Sequence, residues 1–187
     1  MICRNKWRDS HAATIIRAGN GNKFAVDDLK MAAGKDIDDE NHWQVKKVNA
    51  AKAKVLELYK ADIGEKKASK IQQCGIFLSN NRKLFSAPDA MIGKDTLLEI
   101  KVYFIGNPKS LDDIPPRFAC FDANREIRKD SKKYAQIQLA LRICSRRKAI
   151  VILVAGDEWK AVEVGRDLSF ESKYEDIVAY TDILDIF

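Results

Sequence analysis

An α/β fold is predicted by three segments that differ in their hydrophobic period. A short hairpin is expected from Ala90-Met91-Ile92, a turn at Gly93-Lys94-Asp95 and a strand from Leu97 to Phe104. A helix is expected from Tyr134 to Cys144, where apolar residues recur at helical spacing without Gly or Pro. The continuous apolar run from Ala149 to Ala155 is rich in β-branched residues and is typical of a buried strand.

Three helices are expected before the hairpin, followed by one short strand. The helices cover about Trp7 to Ala18, Val26 to Ala33 and Gln44 to Ala61. Gly19-Asn20-Gly21 ends the first helix, and the acidic loop Asp36 to Asn41 caps the third. Cys74 to Ser79 is the predicted strand, and a turn at Asn80 to Lys83 leads from it into Leu84-Phe85-Ser86.

The segments after the hairpin begin with an irregular connection. Residues 105 to 126 contain three prolines, and because they follow the hairpin directly we expect them to border a substrate groove. Gly156-Asp157-Glu158 forms a turn into a second hairpin strand from Trp159 to Val164, and Asp167 to Phe187 is expected to form a capping helix. Residues 1–187 are predicted to be one domain.

Composition and charge limit the classes of function. The chain is 46% hydrophobic but lacks a stretch long enough to cross a membrane, and its N-terminus lacks the apolar core of a signal peptide. An intracellular protein without membrane association is therefore expected. The four cysteines are scattered, without paired metal-binding spacing. The formal net charge of +6 and a pI near 9.1 suit a polyanionic partner.

The predicted hairpin carries the residues with the clearest chemistry. Side chains alternate along a strand, so Glu99 and Lys101 share one face while Ile100 points into the core. Hairpin pairing brings Asp89 alongside them. Two carboxylates that hold a hard divalent cation, next to one amine, suit metal-assisted phosphodiester cleavage. The alternative is a surface hairpin whose charges face water.

The helix before the buried strand adds a second group of polar residues. Gln136 and Gln138 do not share a helix face, so at most one of them can point at the site. A basic cluster, Arg128-Lys129 with Lys132-Lys133, lies at the start of this helix. It is the best candidate for contacts with phosphate groups.

In this order, the motifs resemble the lambda exonuclease and YqaJ-like viral recombinase family of PD-(D/E)xK nucleases, which includes viral alkaline nucleases. In that family Ser-Pro-Asp-Gly leads into Leu-Glu-x-Lys, and here Ala87-Pro88-Asp89-Ala90 leads into Leu98-Glu99-Ile100-Lys101. The family's Ala-Gln-Val-Gln corresponds to Ala135-Gln136-Ile137-Gln138, before the strand Ile150 to Val154. The resemblance covers roughly residues 44 to 167.

The resemblance implies a restriction-endonuclease-like core, with a central mixed β-sheet flanked by helices. It implies a metal-dependent deoxyribonuclease, a 5′-to-3′ exonuclease on linear double-stranded DNA in viral or mobile-element recombination or replication. Asp89, Glu99 and the Ile100 carbonyl would hold Mg²⁺, for which Mn²⁺ can substitute. Lys101 would orient or activate the attacking water, and Gln138 or Gln136 would hold that water or the phosphate.

Further expectations concern substrate binding and partners. In the family an arginine and a serine of the first helix hold the terminal 5′-phosphate, and Arg4 and Ser10 fall near those places. Ser86, Lys132 and Lys133 are the other predicted substrate-binding residues. The resemblance also implies a single-strand annealing protein as a partner and a homo-oligomer, a trimeric ring in some members. The expected location is the cytoplasm or a host nucleus.

One position departs from the family pattern. Members carry a glutamate on the helix before the site, seven residues ahead of an aromatic residue, where it contributes to the metal centre. Counting back from Tyr59 leads to Lys52. Either the alignment slips, or Glu40 or Glu57 substitutes, or the site is built without this ligand. The departure leaves open a catalytically weak nucleic-acid-binding protein of the same fold. A third alternative is an endonuclease or RNA-degrading relative with the same centre.

Overall fold

The protein is described by a computed structural model, which covers residues 7–8, 43–80, 84–104, 106–170 and 173–175. The α-helices in this part are α1 (Trp43–Ile63), α2 (Glu65–Ala68) and α3 (Lys132–Ile143), and a 3₁₀ turn covers Leu111–Asp113. The strands are β1 (Trp7–Arg8), β2 (Ile71–Gln72), β3 (Phe77–Leu78), β4 (Leu84–Ser86), β5 (Ala90–Ile92), β6 (Thr96–Tyr103), β7 (Lys148–Ala155) and β8 (Glu158–Gly165).

The main sheet contains five strands in the order β2-β5-β6-β7-β8. β6 pairs with β5 in the antiparallel sense and with β7 in the parallel sense, so the sheet is mixed. A smaller sheet has the order β1-β4-β3. The long connection and α3 form the crossover that a parallel pair such as β6 and β7 requires. The α/β class and the mixed central sheet predicted from the sequence are therefore confirmed.

Helices cover both faces of the main sheet. Leu98 and Ile100 of β6 belong to a buried cluster with Val55 and Tyr59 of α1. Leu97, the neighbouring residue on the other face, belongs to a second cluster with residues of α3 such as Ile137. Because β6 is the central strand and both of its faces are covered, every side chain on it lies in or next to a core.

Local patterns predicted most of these elements. The hairpin forms as expected, with a turn at Gly93-Lys94-Asp95 in which Gly93 has a φ of 59°. The helices α1 and α3 and the strands β7 and β8 differ from the predicted bounds by a few residues at most. The predicted strand Cys74 to Ser79 is shorter, since only Phe77–Leu78 pairs with β4.

The expected helix from Trp7 begins differently from the prediction. Trp7 and Arg8 form a strand that pairs in parallel with Leu84 and Phe85, so long-range backbone pairing overrides the local helical pattern here. The rest of that segment and Val26 to Ala33 lie outside the described residues, as does most of the expected C-terminal helix. Among the helices described, none is long and apolar enough to span a bilayer.

Candidate active site

The β5–β6 hairpin brings Asp89 and Glu99 next to each other. Ala90 pairs with Leu98, and one step further in the same register places Asp89 opposite Glu99. Oδ2 of Asp89 accepts a hydrogen bond of 2.7 Å from the backbone N–H of Ile100. The carboxylate before β5 is therefore fixed against the strand that carries Glu99.

Glu99 is buried in the centre of the sheet, on the face that α3 covers. Its residue is 6% exposed, and its Oε2 lies 2.8 Å from Nζ of Lys133 in the first turn of α3. The two side chains are 8% and 10% exposed, so this ion pair is shielded from water. The alternative of a surface hairpin with solvated charges does not hold for this carboxylate.

Lys101 lies two residues further along the same face of β6. Burial lowers the pKa of Lys101 below its usual value, and the nearby charges of Lys133 and Lys52 lower it as well. Its Nζ lies 5.6 Å from the centre of the Tyr103 ring. Tyr103 is itself fixed, because its hydroxyl accepts a 3.0 Å hydrogen bond from the N–H of Cys120 in the long connection. The amine therefore lies in a confined, cationic environment.

Lys52 of α1 reaches the site from the other face of the sheet. Its Nζ lies 2.6 Å from Oδ1 of Asp89. The position identified by counting back from Tyr59 thus contacts the candidate site, and a lysine occupies it. Glu57 does not substitute, since it is exposed and pairs with Lys60, and Glu40 lies outside the described residues.

The donors present fit a hard divalent cation. Asp89 and Glu99 supply carboxylate oxygens from adjoining positions. The N–H and C=O of one strand residue point to the same side, so the carbonyl of Ile100 also faces Asp89. Three protein oxygens and several waters satisfy Mg²⁺. In the part of the chain that the structure describes, three or more His, Cys, Asp or Glu side chains do not come together as a metal site. The candidate centre therefore has two carboxylates and a backbone carbonyl.

The two glutamines of α3 lie in different surroundings. Oε1 of Gln136 accepts a 3.3 Å hydrogen bond from Lys133, the lysine that binds Glu99. Gln138 is 2% exposed, and its amide donates to the carbonyl of Gly165 and accepts from the N–H of Asp167, at 2.9 and 2.8 Å. The geometry favours Gln136 as the glutamine next to the site, whereas Gln138 holds the segment after β8.

Gln138→Ala is therefore expected to lower the free energy of unfolding by about 2 kcal/mol, because it removes the two hydrogen bonds of a buried amide, each worth about 1 kcal/mol. Gln136→Ala is the matched control on the same helix, and its partly exposed side chain should cost less than about 1 kcal/mol. Chemical denaturation of both variants measures the difference. Equal losses for the two variants would contradict this distinction.

The remaining predicted substrate-binding residues have different exposures. Ser86 is fully buried in β4, and its role in substrate binding stays a prediction. Lys132 is exposed at the start of α3, whereas Lys133 points inward to Glu99. Arg4 and Ser10 lie outside the described residues.

A groove of about 720 Å³ runs along β8 and the start of α3, and its lining does not include Asp89, Glu99 or Lys101. The strand register places Lys101 beside Leu153 and Leu153 beside Lys160, which lines the groove. Two strand spacings amount to about 10 Å, which separates the backbone of Lys101 from that of the groove residue Lys160. Its charged lining residues are Arg125, Glu126, Lys129, Lys160, Glu163, Arg166 and Asp167.

Sequence reasoning did not find the Lys133–Glu99 pair or the place of Lys160 near the site. The first depends on how α3 crosses the sheet, and the second on the strand order. A partial signal existed for Lys133, because it directly precedes the apolar stripe of the helix.

Comparison with known proteins gives matches of fold. No protein-family model and no curated protein matches the chain. LHK-Exo, an alkaline exonuclease from Laribacter hongkongensis, is similar in its complex with dAMP, with a TM-score of 0.64 and 13% identity over 99% of this chain and 91% of that one. A second LHK-Exo structure has a TM-score of 0.61 and 13% sequence identity, over 97% of this chain and 89% of that one. A phage-related exonuclease from Haemophilus somnus 129PT has a TM-score of 0.64 and 15% sequence identity, over 96% of this chain and 95% of that one. The chain therefore has the fold of these exonucleases.

Proposed function

We propose that this protein is a metal-dependent deoxyribonuclease that digests linear double-stranded DNA. The observation that carries the proposal is the pair of adjoining carboxylates, Asp89 and Glu99, next to Lys101 on a central strand. Burying such charges is costly, so an arrangement of this kind is more often functional than structural. The fold shared with solved exonucleases supports the same conclusion.

The residues have separate roles in the proposed reaction. Asp89, Glu99 and the Ile100 carbonyl would hold Mg²⁺, or Mn²⁺ in its place. When bound, the ion polarises the phosphate and lowers the pKa of a water. Lys101 orients that water and takes up its proton, a role that its lowered pKa favours. Gln136 is close enough to Lys133 and Glu99 to hold the water or a phosphate oxygen.

Finer features of the function are proposed from the resemblance. These are 5′-to-3′ polarity, a 5′-phosphate held by Arg4 and Ser10, and a role in viral or mobile-element recombination with an annealing partner. A homo-oligomeric state is proposed on the same ground.

Ser10→Ala and Arg4→Ala should reduce the preference for 5′-phosphorylated ends without slowing hydrolysis at saturating substrate, because they remove charge-assisted hydrogen bonds to the end alone.

One observation favours a second function, nucleic-acid binding without efficient catalysis. Both carboxylates are already paired with lysines, Asp89 with Lys52 and Glu99 with Lys133. A divalent ion must compete with these ammonium groups for its ligands. A protein that bound DNA but cleaved neither DNA nor RNA with Mg²⁺ or Mn²⁺ would match this alternative.

The experiment compares substrates of one sequence in different forms. Purified protein is incubated with linear duplex DNA, a covalently closed circle and single-stranded RNA, in Mg²⁺, Mn²⁺ or Ca²⁺. An exonuclease digests the linear duplex and leaves the circle intact. Ca²⁺ should support no cleavage, because its looser coordination activates water less. Equal attack on circle and linear DNA would favour an endonuclease, and attack on RNA alone would favour the RNA-degrading alternative.

The groove provides a prediction about DNA affinity. Lys129→Ala and Lys160→Ala should each weaken binding of linear duplex DNA and reduce the slope of log affinity against log salt by about 1, since each removes one phosphate contact. Fluorescence anisotropy in Ca²⁺ measures this without cleavage. Lys67→Ala is the matched control, because α2 leads into β2 at the opposite edge of the sheet from β8. A change in slope as large for Lys67→Ala would rule out the groove as the DNA path.

A further inference from the structure

Each carboxylate of the site is held by a lysine from a different helix. Lys52 of α1 binds Asp89 at 2.6 Å, and Lys133 of α3 binds Glu99 at 2.8 Å. The two helices pack on opposite faces of the central sheet. With Lys101 between them, the site contains two carboxylates and three lysines.

The two ion pairs differ in how readily another cation can replace the lysine. The Lys133 and Glu99 side chains are 10% and 8% exposed, and Lys133 also donates to Gln136. The Lys52 and Asp89 side chains are 30% and 21% exposed. Removing the Lys133 ammonium would leave the charge of Glu99 uncompensated in the core, whereas water can solvate Lys52 and Asp89. Of the two lysines, Lys52 is therefore the one more accessible to solvent and to an ion arriving from it.

Asp89 has both oxygens engaged by protein donors. Oδ2 accepts from the N–H of Ile100, which directs that oxygen toward β6 and Glu99. Oδ1 binds the Lys52 ammonium. A carboxylate oxygen can accept more than one bond, so an ion between Asp89 and Glu99 can share Oδ2. An ion on Oδ1 would instead occupy the place of the ammonium.

We propose that Lys52 is a resident cation of the active site, which occupies the position of a second divalent ion next to Asp89, so that the site binds a single ion. This inference rests on the proposed function. Lys52 acts as a positioning residue: it holds Asp89 in place and offsets negative charge on the phosphate. An ammonium cannot bind and activate a water as a divalent ion does, so the single ion held by Asp89 and Glu99 would supply the activated water, with Lys101 beside it. Repulsion from Lys52 weakens the binding of that ion.

The test measures metal binding in the absence of DNA. Mn²⁺ is titrated calorimetrically into the wild type, Lys52→Gln, Lys52→Met, Lys52→Glu and Lys52→Arg. The wild type and Lys52→Arg should bind one ion with similar affinity. Lys52→Gln and Lys52→Met should bind one ion about tenfold more tightly, because a nearby positive charge is gone. Lys52→Glu should bind two ions, because a carboxylate replaces the ammonium.

The matched control is Lys54→Gln, on the same helix but paired with Asp157 at the surface, where the side chains are 68% and 94% exposed. It should bind Mn²⁺ as the wild type does. Circular dichroism checks folding, and the thermal shift with Mn²⁺ gives an independent affinity.

The outcomes separate this inference from the proposed function. If the wild type binds Mn²⁺ and neither neutral variant binds it more tightly, or if the wild type binds two ions, the role of Lys52 is refuted while the metal site remains. If no variant binds an ion, the metal-dependent function falls, and the inference about Lys52 falls with it.

Discussion

Asp89→Asn is expected to lower the rate of DNA hydrolysis at saturating Mg²⁺ on the order of 10³-fold while DNA affinity is retained. The variant removes a negative charge from the proposed metal ligands, and metal-bound charge stabilisation is worth several kcal/mol. Each 1.36 kcal/mol corresponds to about tenfold in rate. DNA affinity should be kept or improved, since Lys52 loses its anionic partner and the site becomes more cationic.

Two further variants separate the roles within the site. Lys101→Met should reduce turnover on a similar scale while Mn²⁺ affinity is kept, because Lys101 acts on the water and holds no metal. Asp157→Asn is the matched control, as this aspartate lies at the surface with its side chain 94% exposed. Single-turnover rates and Mn²⁺ titrations of all three variants make the comparison. Full activity in Asp89→Asn would show that the hairpin is not the metal site.

Lys133→Met should lower the free energy of unfolding by about 3–5 kcal/mol, the cost of leaving one member of a buried ion pair without its partner. The effect is large because the Lys133 and Glu99 side chains are both nearly inaccessible to water. Lys101, on the same face as Glu99, offsets part of the loss, so the lower end of this range is expected.

The double variant Lys133→Met, Glu99→Gln should recover much of that stability, since both charges are then absent from the core. Urea denaturation of the single and double variants gives the coupling energy. Lys148→Met is the matched control, because its partner Glu163 is exposed at the surface, and its effect should stay under about 1 kcal/mol. If Lys133→Met loses no more free energy of unfolding than Lys148→Met does, the Lys133–Glu99 pair contributes little to stability.

The hairpin and the helix α3 could be predicted from sequence because their signals are local. Gly93 marks a turn between two apolar runs, and alternation along β6 places Glu99 and Lys101 on one face. The count from Tyr59 to Lys52 came from the resemblance to the exonuclease family, and Lys52 does contact Asp89. The hairpin and helix predictions, by contrast, depend on neighbours within a turn or a strand.

The features that sequence could not predict depend on contacts between distant segments. Lys133 looked like a surface contact for phosphate, but the path of α3 across the sheet directs it to Glu99. The choice between Gln136 and Gln138 depends on the chain after β8, which supplies the partners of Gln138. The strand at Trp7–Arg8 forms by pairing with the backbone of β4, and the local sequence pattern around Trp7 does not indicate this distant partner.

The most direct test of the proposed function is the release of nucleotides from a 5′-phosphorylated linear duplex in Mg²⁺ by the wild type and by Asp89→Asn prepared in parallel. The predicted result is digestion by the wild type that stops when EDTA is added, with essentially no digestion by Asp89→Asn. Equal rates for the two proteins would contradict the assignment of the metal site to Asp89. The proposed function itself would be contradicted if the wild type digested no DNA in either Mg²⁺ or Mn²⁺.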